Sequence, residues 1–137
     1  MEAKLKHLEM IQGVINRMAG NSFLLKGWSV TLISALFVLA DKDANQHFIY
    51  LAYFPCVIFW CLDGYFLWQE RLYRKLYQEV AAKNVDSIDF DMNATKYKGK
   101  VSSWFSVCFS ITLFLFHGAV FGVIVLIMLL KIFTGSF

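Results

Sequence analysis

The chain has 137 residues, of which 58% are hydrophobic and only 17% are charged, whereas a typical soluble domain is about 45–50% apolar and about 25% charged. A soluble domain of this size leaves much of its surface in water, so it cannot hide this excess of apolar side chains. A net charge of +3 is too small to indicate a nucleic-acid-binding domain, and the composition excludes a disordered or collagen-like chain. The remaining class is an integral membrane protein.

Three segments account for the apolar excess. They are 22–40, 47–68 and 101–131. The first contains a single charge, Lys26, the second contains only Asp63, and the third carries His117 in its interior. A transmembrane helix needs about 20 mostly apolar residues, and continuous apolar runs favour helices over the alternating strands of a barrel. The sequence therefore predicts an all-α fold with three transmembrane helices, assembled as an oligomeric bundle.

Lysine and arginine predict the orientation, because cytoplasmic loops carry an excess of positive charge. The segment 69–100 has seven basic residues, whereas the loop 41–46 has one lysine and two aspartates. We therefore expect a multi-pass protein of the cell inner membrane. The N-terminus and residues 69–100 are then cytoplasmic, and the C-terminus is outside.

The two predicted cytoplasmic parts also have helical patterns. Residues 1–21 predict an amphipathic helix whose apolar stripe is Leu5, Leu8, Ile11, Ile15 and Met18. This helix either lies on the membrane surface or binds a partner or a second copy, and the pattern alone favours neither. Residues 69–100 predict a helical segment that continues the second span, followed by a loop.

No catalytic, cofactor or metal motif is recognisable, so we expect neither an enzyme nor a bound cofactor. The segment 89–94 begins like a calcium-binding loop, but the glycine that such a loop needs is Ala94 and its final glutamate is Lys100. The three cysteines fall inside the predicted spans without zinc-site spacing, which indicates small buried side chains.

Lys26 and Asp63 lie at matching depths. Lys26 is 15 residues before Asp41, and Asp63 is 16 residues after His47, so each lies about 23 Å below the predicted outer surface. The short loop between the two spans makes them antiparallel neighbours. We therefore expect these side chains to face each other, either as a plain ion pair that holds the helices together or as a gate.

The third segment carries two further patterns. Ser103, Ser106, Ser110 and His117 fall on one predicted helix stripe, which either lines a pore or hydrogen-bonds to another helix. Gly118 and Gly122 form a GxxxG pair, which allows close helix packing. Together these faces offer more helix contacts than three helices need, which favours a homo-oligomer.

Two classes of function remain open. Three spans cannot enclose a water path alone, so a conducting protein would have to be an oligomeric channel or pore. The alternative is a non-conducting structural or partner-binding membrane subunit, whose polar faces only pack against protein.

The stretch Leu5–Trp28, and within it Ile11–Phe23 (IQGVINRMAGNSF), resembles the opening of small bacterial membrane effectors from anti-phage defence loci. It is most similar to the Hailong channel effectors, best over the N-terminal quarter and more loosely over the overall plan. The resemblance implies an oligomeric channel that depolarises the inner membrane. It also implies an inhibitory nucleic-acid-like oligomer, made by a partner nucleotidyltransferase, that holds the channel shut.

Such an inhibitor would be polyanionic, and charge alone then selects the candidate ligand-binding residues, since no family ligand position can be matched to this chain. The same attraction applies to anionic membrane lipid. The candidates are Arg17, Arg71, Arg74, Lys75, Lys96, Lys98 and Lys100.

Overall fold

The computed structural model describes residues 1–42 and 47–135, and over these ranges the protein is built from helices and loops alone. Three of the helices are long and apolar enough to cross a membrane. The helices are α1 (Glu2–Lys42), α2 (His47–Leu51), α3 (Tyr53–Ala82), α4 (Trp104–Cys108) and α5 (Ile111–Phe133), with single 3₁₀ segments at Val85–Ser87 and Thr95–Lys100 between α3 and α4. Residues 43–46 of the predicted outer loop lie outside the described ranges.

Helix α1 joins two segments that the sequence separates. Its 41 residues run for about 60 Å, roughly twice the thickness of a hydrocarbon core. No proline interrupts it, so the amphipathic stretch 1–21 and the apolar stretch 22–40 form one continuous rod. Half of α1 therefore extends beyond the part that is apolar enough to enter a membrane.

Helix α3 runs antiparallel alongside α1, and these two long helices are called the hairpin here. Its only proline, Pro55, lies in the first turn, where a missing backbone N–H does not break a helical hydrogen bond. The helix then continues without interruption through residues 69–82, as the sequence predicts for the extension of the second span. Residues 2–21 of α1 and 69–82 of α3, with the connection as far as Val101, are called the stalk here.

The stalk has its own apolar core. Ile11 and Ile15 of α1 are buried against α3, and the connecting segment closes over them. The buried residues of this core are Ile11, Ile15, Leu72, Leu76, Val80, Ala94 and Tyr97. The two interpretations of the amphipathic stripe, membrane surface or partner binding, are therefore wrong for its central residues. Their partner is the matching stripe of α3 in the same chain, a pairing that neither pattern reveals alone.

A second core lies towards the other end of the hairpin, where α1, α3 and α5 meet. Its buried residues are Ile33 of α1, Ala52 and Cys56 around the start of α3, and Ile124 of α5. Tyr53 adds an edge-on contact to Phe121, with ring centroids 5.3 Å apart. This core attaches α5 to the hairpin.

The predicted continuous helix over 101–131 is wrong in its first third. Residues 104–108 form the short helix α4, and α5 begins only at Ile111. Ser103 caps α4, since its Oγ accepts a hydrogen bond from the Ser106 N–H, and Ser110 occupies the N-cap of α5. Ser103 thus supplies a side-chain cap, whereas Ser110 holds the N-cap position of α5 without a side-chain hydrogen bond. Side chains that looked like one polar stripe instead mark two separate helix beginnings.

Helix α4 packs against α3 at a glycine. A Cβ added to Gly64 would lie 2.4 Å from Cys108 Sγ and 3.4 Å from Cys108 Cα. The indole of Trp104 donates a hydrogen bond to the Cys61 carbonyl at 3.1 Å, and Trp60 donates to the Cys108 carbonyl at 2.7 Å. Because α4 and α3 approach closely at Gly64, the interruption of the third apolar segment at α4 lies directly against α3.

The stalk core predicts unequal effects along one stripe of α1. Ile11→Ala removes a fully buried side chain and should lower stability by about 2–5 kcal/mol. Leu5→Ala changes a side chain on the same stripe that is 54% exposed and should change stability by less than about 0.5 kcal/mol. Thermal unfolding in detergent, with limited proteolysis of the stalk, measures both. Equal effects would indicate that the stripe lies on a membrane surface.

The contact at Gly64 predicts a second contrast, between glycines in α3 and α5. Gly64→Ala should push α4 away and destabilise the chain by about 1–3 kcal/mol, with faster maleimide labelling of Cys108. Gly122→Ala is the matched control, because no atom lies within 4 Å of its added Cβ. Adding Cys108→Ala to the Gly64 variant should restore part of the stability. No restoration would contradict a steric cause.

Candidate functional site

The most buried charge in the described chain is the carboxylate of Asp63, and three side chains hold it. Lys26 Nζ lies 2.6 Å from Asp63 Oδ2, and His117 Nε2 lies 2.7 Å from the same oxygen. Ser22 donates its hydroxyl to Asp63 Oδ1, and Lys26 Nζ lies 2.7 Å from Ser22 Oγ. These four residues are called the Asp63 network.

Each long helix contributes to the network. Ser22 and Lys26 are four residues apart on α1, so they occupy the same face of that helix. Asp63 comes from the middle of α3 and His117 from the second turn of α5. The contact of Lys26 with Asp63 was expected from their equal depth. Ser22 and His117 are not among the residues that the sequence predicts at this site. The spacing of four residues between Ser22 and Lys26, which puts both on one helix face, could have indicated the serine.

The network is closed to solvent on its acidic side. The side chains of Asp63 and His117 are 0% exposed, and that of Lys26 is 22% exposed. An ionised carboxylate only accepts hydrogen bonds, so His117 must donate through Nε2. The imidazole stacks on Trp60 at a centroid distance of 5.9 Å, and Lys26 Nζ lies 5.8 Å from the Phe116 ring centroid.

Two buried polar atoms near this level have no hydrogen-bond partner among the described residues. They are Nδ1 of His117 and Oγ of Ser29, which follows Lys26 on α1 by three residues. Ser22, Lys26 and Ser29 are spaced by four and three residues, so they lie on one face of α1. Unpaired buried polar groups are unusual and costly. The atoms that share this property elsewhere in the described chain are His7 Nδ1, Trp68 Nε1 and Ser110 Oγ.

The network has the chemistry of a charge-compensation site. Asp63 is matched by the ammonium of Lys26, while His117 adds a hydrogen bond to the same carboxylate oxygen. Among residues 1–42 and 47–135, no cluster of three or more His, Cys, Asp or Glu side chains is placed to hold a metal ion. These contacts join three helices at one carboxylate.

The other predicted polar residues of the third segment do not share this site. Ser103 and Ser106 are exposed and hydrogen-bond to each other at 3.2 Å. Ser110 is partly buried, and its Oγ has no partner among the described residues. The expectation that these serines and His117 form one stripe is wrong, because the chain breaks between α4 and α5 and only His117 points at Asp63.

The GxxxG glycines face away from the rest of the chain. A Cβ added at Gly122 would meet no atom within 4 Å, and one at Gly118 would meet only the Phe114 ring of its own helix, at 3.8 Å. Gly27 of α1 is equally open, and Thr31 and Ala35 beside it are exposed. These small-residue faces are not used for packing within the described chain.

The predicted ligand-binding cations are distributed over the stalk. Arg74 is paired with Glu70 at 2.7 Å and Lys96 with Asp91 at 3.1 Å, whereas Arg17, Arg71 and Lys75 form no ion pair among the described residues. The other two lie over aromatic rings. They are Lys98, 5.5 Å from the Trp68 centroid, and Lys100, 5.6 Å from the Tyr97 centroid.

Tyr97 anchors the connecting segment to α3 by donating its hydroxyl to Glu79. Burial, with help from this hydrogen bond, raises the pKa of Tyr97 to about 12. The same hydrogen bond is the main cause that lowers the pKa of Glu79. Lys96 and Lys100 therefore lie beside a carboxylate that stays ionised at neutral pH.

The acidic residues of the connecting segment accept hydrogen bonds from its backbone. The N–H of Asp91 donates to Asp89, and the N–H of Asn93 donates to Asp91, at 3.2 and 2.9 Å. These are successive turns in which a side chain accepts from the backbone two residues ahead. The backbone hydrogen bond is the main cause that lowers the pKa of each aspartate. In the segment 89–94, which begins like a calcium-binding loop, the carboxylates of Asp89 and Asp91 thus accept hydrogen bonds from the protein itself.

The chain matches no protein-family model, and no curated protein or solved structure matches it significantly.

The Asp63 network predicts strong coupling between Lys26 and Asp63. Asp63→Ala should cost about 3–5 kcal/mol, since it leaves Lys26 and His117 without their anion. Lys26→Ala should also destabilise, and the double variant should lose clearly less than the sum of both. The exposed pair Arg74–Glu70 is the control, with an expected effect of about 0–1 kcal/mol. Thermal unfolding in detergent measures all variants, and additive losses would show that the contact is energetically unimportant.

Proposed function

We propose that this protein is a small self-assembling membrane channel whose helices are held together by the Asp63 network. The observation that carries the proposal is a buried Lys–Asp–His cluster inside helices that are otherwise apolar enough to cross a membrane. Ionisable side chains at such depth are expensive, and in membrane proteins they usually mark ion or proton pathways and their gates. A simple anchor needs none of them.

The proposed orientation places the stalk in the cytoplasm and the start of α3 at the outer surface. Trp68 then lies about 31 Å below His47, close to the inner edge of a hydrocarbon core about 30 Å thick. Tryptophan favours such interfaces. Asp63 lies about one helical turn above this level, so the network is positioned in the inner part of the membrane.

Conduction in this proposal runs between chains. Asp63 and His117 are completely buried within a single chain, so α1, α3 and α5 leave no open path along the network. The unpartnered glycine faces of α1 and α5 offer surfaces where helices of neighbouring chains can approach closely. Movement of α5 away from α1 and α3 at Asp63 would shift its glycine face against the neighbouring subunit and expose the buried charges to the path between subunits.

Regulation is proposed to act on the stalk. The resemblance to Hailong channel effectors suggests release from a polyanionic ligand, and Arg17, Arg71 and Lys75 are cations without ion pairs among the described residues. Arg74 and Lys96 would first have to leave Glu70 and Asp91. The three unpaired residues are therefore the first choices for substitution in a binding assay with a single-stranded oligonucleotide as the probe.

The channel proposal predicts depolarisation of bacterial cells that express the protein. Induced expression should lower the signal of a membrane-potential dye, and the purified protein should be oligomeric in detergent. Gly122→Ile should block close helix approach and abolish both effects. Val123→Ile, at the adjacent position whose side chain is 49% exposed, is the matched control and should retain both.

The same assay tests the role of the network. Asp63→Asn removes the charge that joins the three helices, so it should change the extent of depolarisation at equal protein level in the membrane. A monomeric protein, or an unchanged membrane potential with the protein correctly inserted, would contradict the channel. That result would favour the alternative, a non-conducting structural or partner-binding subunit.

A further inference from the structure

An apolar groove of about 240 Å³ lies between α3 and α4. Val57 and Cys61 of α3 form one side, and Trp104 and Phe105 of α4 form the other. Phe105 is 73% exposed and Val57 is 47% exposed, so the groove opens away from the protein. It exists because the third segment breaks before α5 and because Gly64 lets α4 approach α3.

A positive charge lies at the stalk end of the same face. Cys61, Gly64 and Trp68 are spaced by three and four residues along α3, so they share one side of this helix. Trp104 contacts Cys61, and Lys98 Nζ lies 5.5 Å from the centroid of the Trp68 ring. The apolar groove and the ammonium group are therefore aligned along α3.

The separation of these two features fits a phospholipid. Seven residues from Cys61 to Trp68 correspond to about 10 Å along the helix. In a bilayer whose hydrocarbon core is about 30 Å thick, with headgroup layers of about 5–8 Å on each side, a phosphate lies on the order of 10 Å from the middle of its own acyl chain. One lipid molecule can therefore reach both features.

We propose that this groove binds the acyl chain of one anionic phospholipid, whose phosphate is held by Lys98. Lys98 forms no ion pair among the described residues, whereas Lys83 and Lys96 of the same connection each pair with an aspartate. An apolar helix of a second copy would fill the groove but would leave this ammonium group without an anion. The proposal rests on membrane insertion from the proposed function, and it does not depend on conduction.

Lys100 provides a matched control for Lys98. Its Nζ lies 5.6 Å from the Tyr97 ring, whose hydroxyl binds Glu79. Glu79 is 11 residues beyond Trp68 on α3, which places it about 16 Å further from the groove. Substitution of either lysine by glutamine removes the same charge, but only Lys98 is aligned with the apolar surface.

Native mass spectrometry of the full-length protein in detergent tests the site. The probes are dioleoyl phosphatidylglycerol and dioleoyl phosphatidylcholine, which share their acyl chains. We expect one phosphatidylglycerol to bind more tightly than further copies and more tightly than phosphatidylcholine. Lys98→Gln should weaken this first binding about 5-fold, Cys61→Phe should remove it by filling the groove, and Lys100→Gln should leave it unchanged.

Three results would overturn the proposal. Equal losses for Lys98→Gln and Lys100→Gln would indicate general attraction of the basic stalk to anionic lipid. Undiminished binding in Cys61→Phe would place the lipid elsewhere. Efficient disulfide formation between Cys61 residues of two chains in oxidised vesicles would show that a second copy occupies the groove. Lipid binding without depolarisation would support this site while contradicting the channel.

Discussion

The carboxylate of Asp63 is the constraint on which the arrangement of the long helices depends. It is completely buried, and its two oxygens are contacted by side chains from α1 and α5. Removing such an anion from water is unfavourable unless its partners are held at hydrogen-bonding distance. The three helices therefore have to meet at this depth, and sliding one helix by a single turn would leave a buried charge without its partner.

The two apolar cores lie on opposite sides of this network and have a different role. Ile11 and Ile15 join α1 to α3 in the stalk, and Ile33 joins α1 to the region around Ala52, Cys56 and Ile124. Apolar contacts are non-directional and scale with buried area, so they favour close packing but tolerate small shifts. Hydrogen bonds at Asp63 are directional, and they fix the longitudinal position of helices that the cores hold together.

The break before α5 changes the exposed apolar surface of the chain. A continuous third helix would have placed its serines on one side and left no short helix beside α3. The Ser103 cap and the close approach at Gly64 instead place residues 104–108 against α3. The result is an apolar groove beside α3, and the small-residue faces of α1 and α5 are not used for packing among the described residues.

Composition and residue spacing are sufficient to predict the helical class, the three apolar segments and the contact between Lys26 and Asp63. These properties depend on composition and on residue spacing along one helix, which are fixed by the order of the amino acids. Packing between segments decides three further features: the amphipathic stripe around Ile11 packs on α3, His117 joins Asp63, and Ser103 and Ser110 begin separate helices. Each of these depends on which surface another segment presents at the same place, and a pattern within one segment carries no information about that surface.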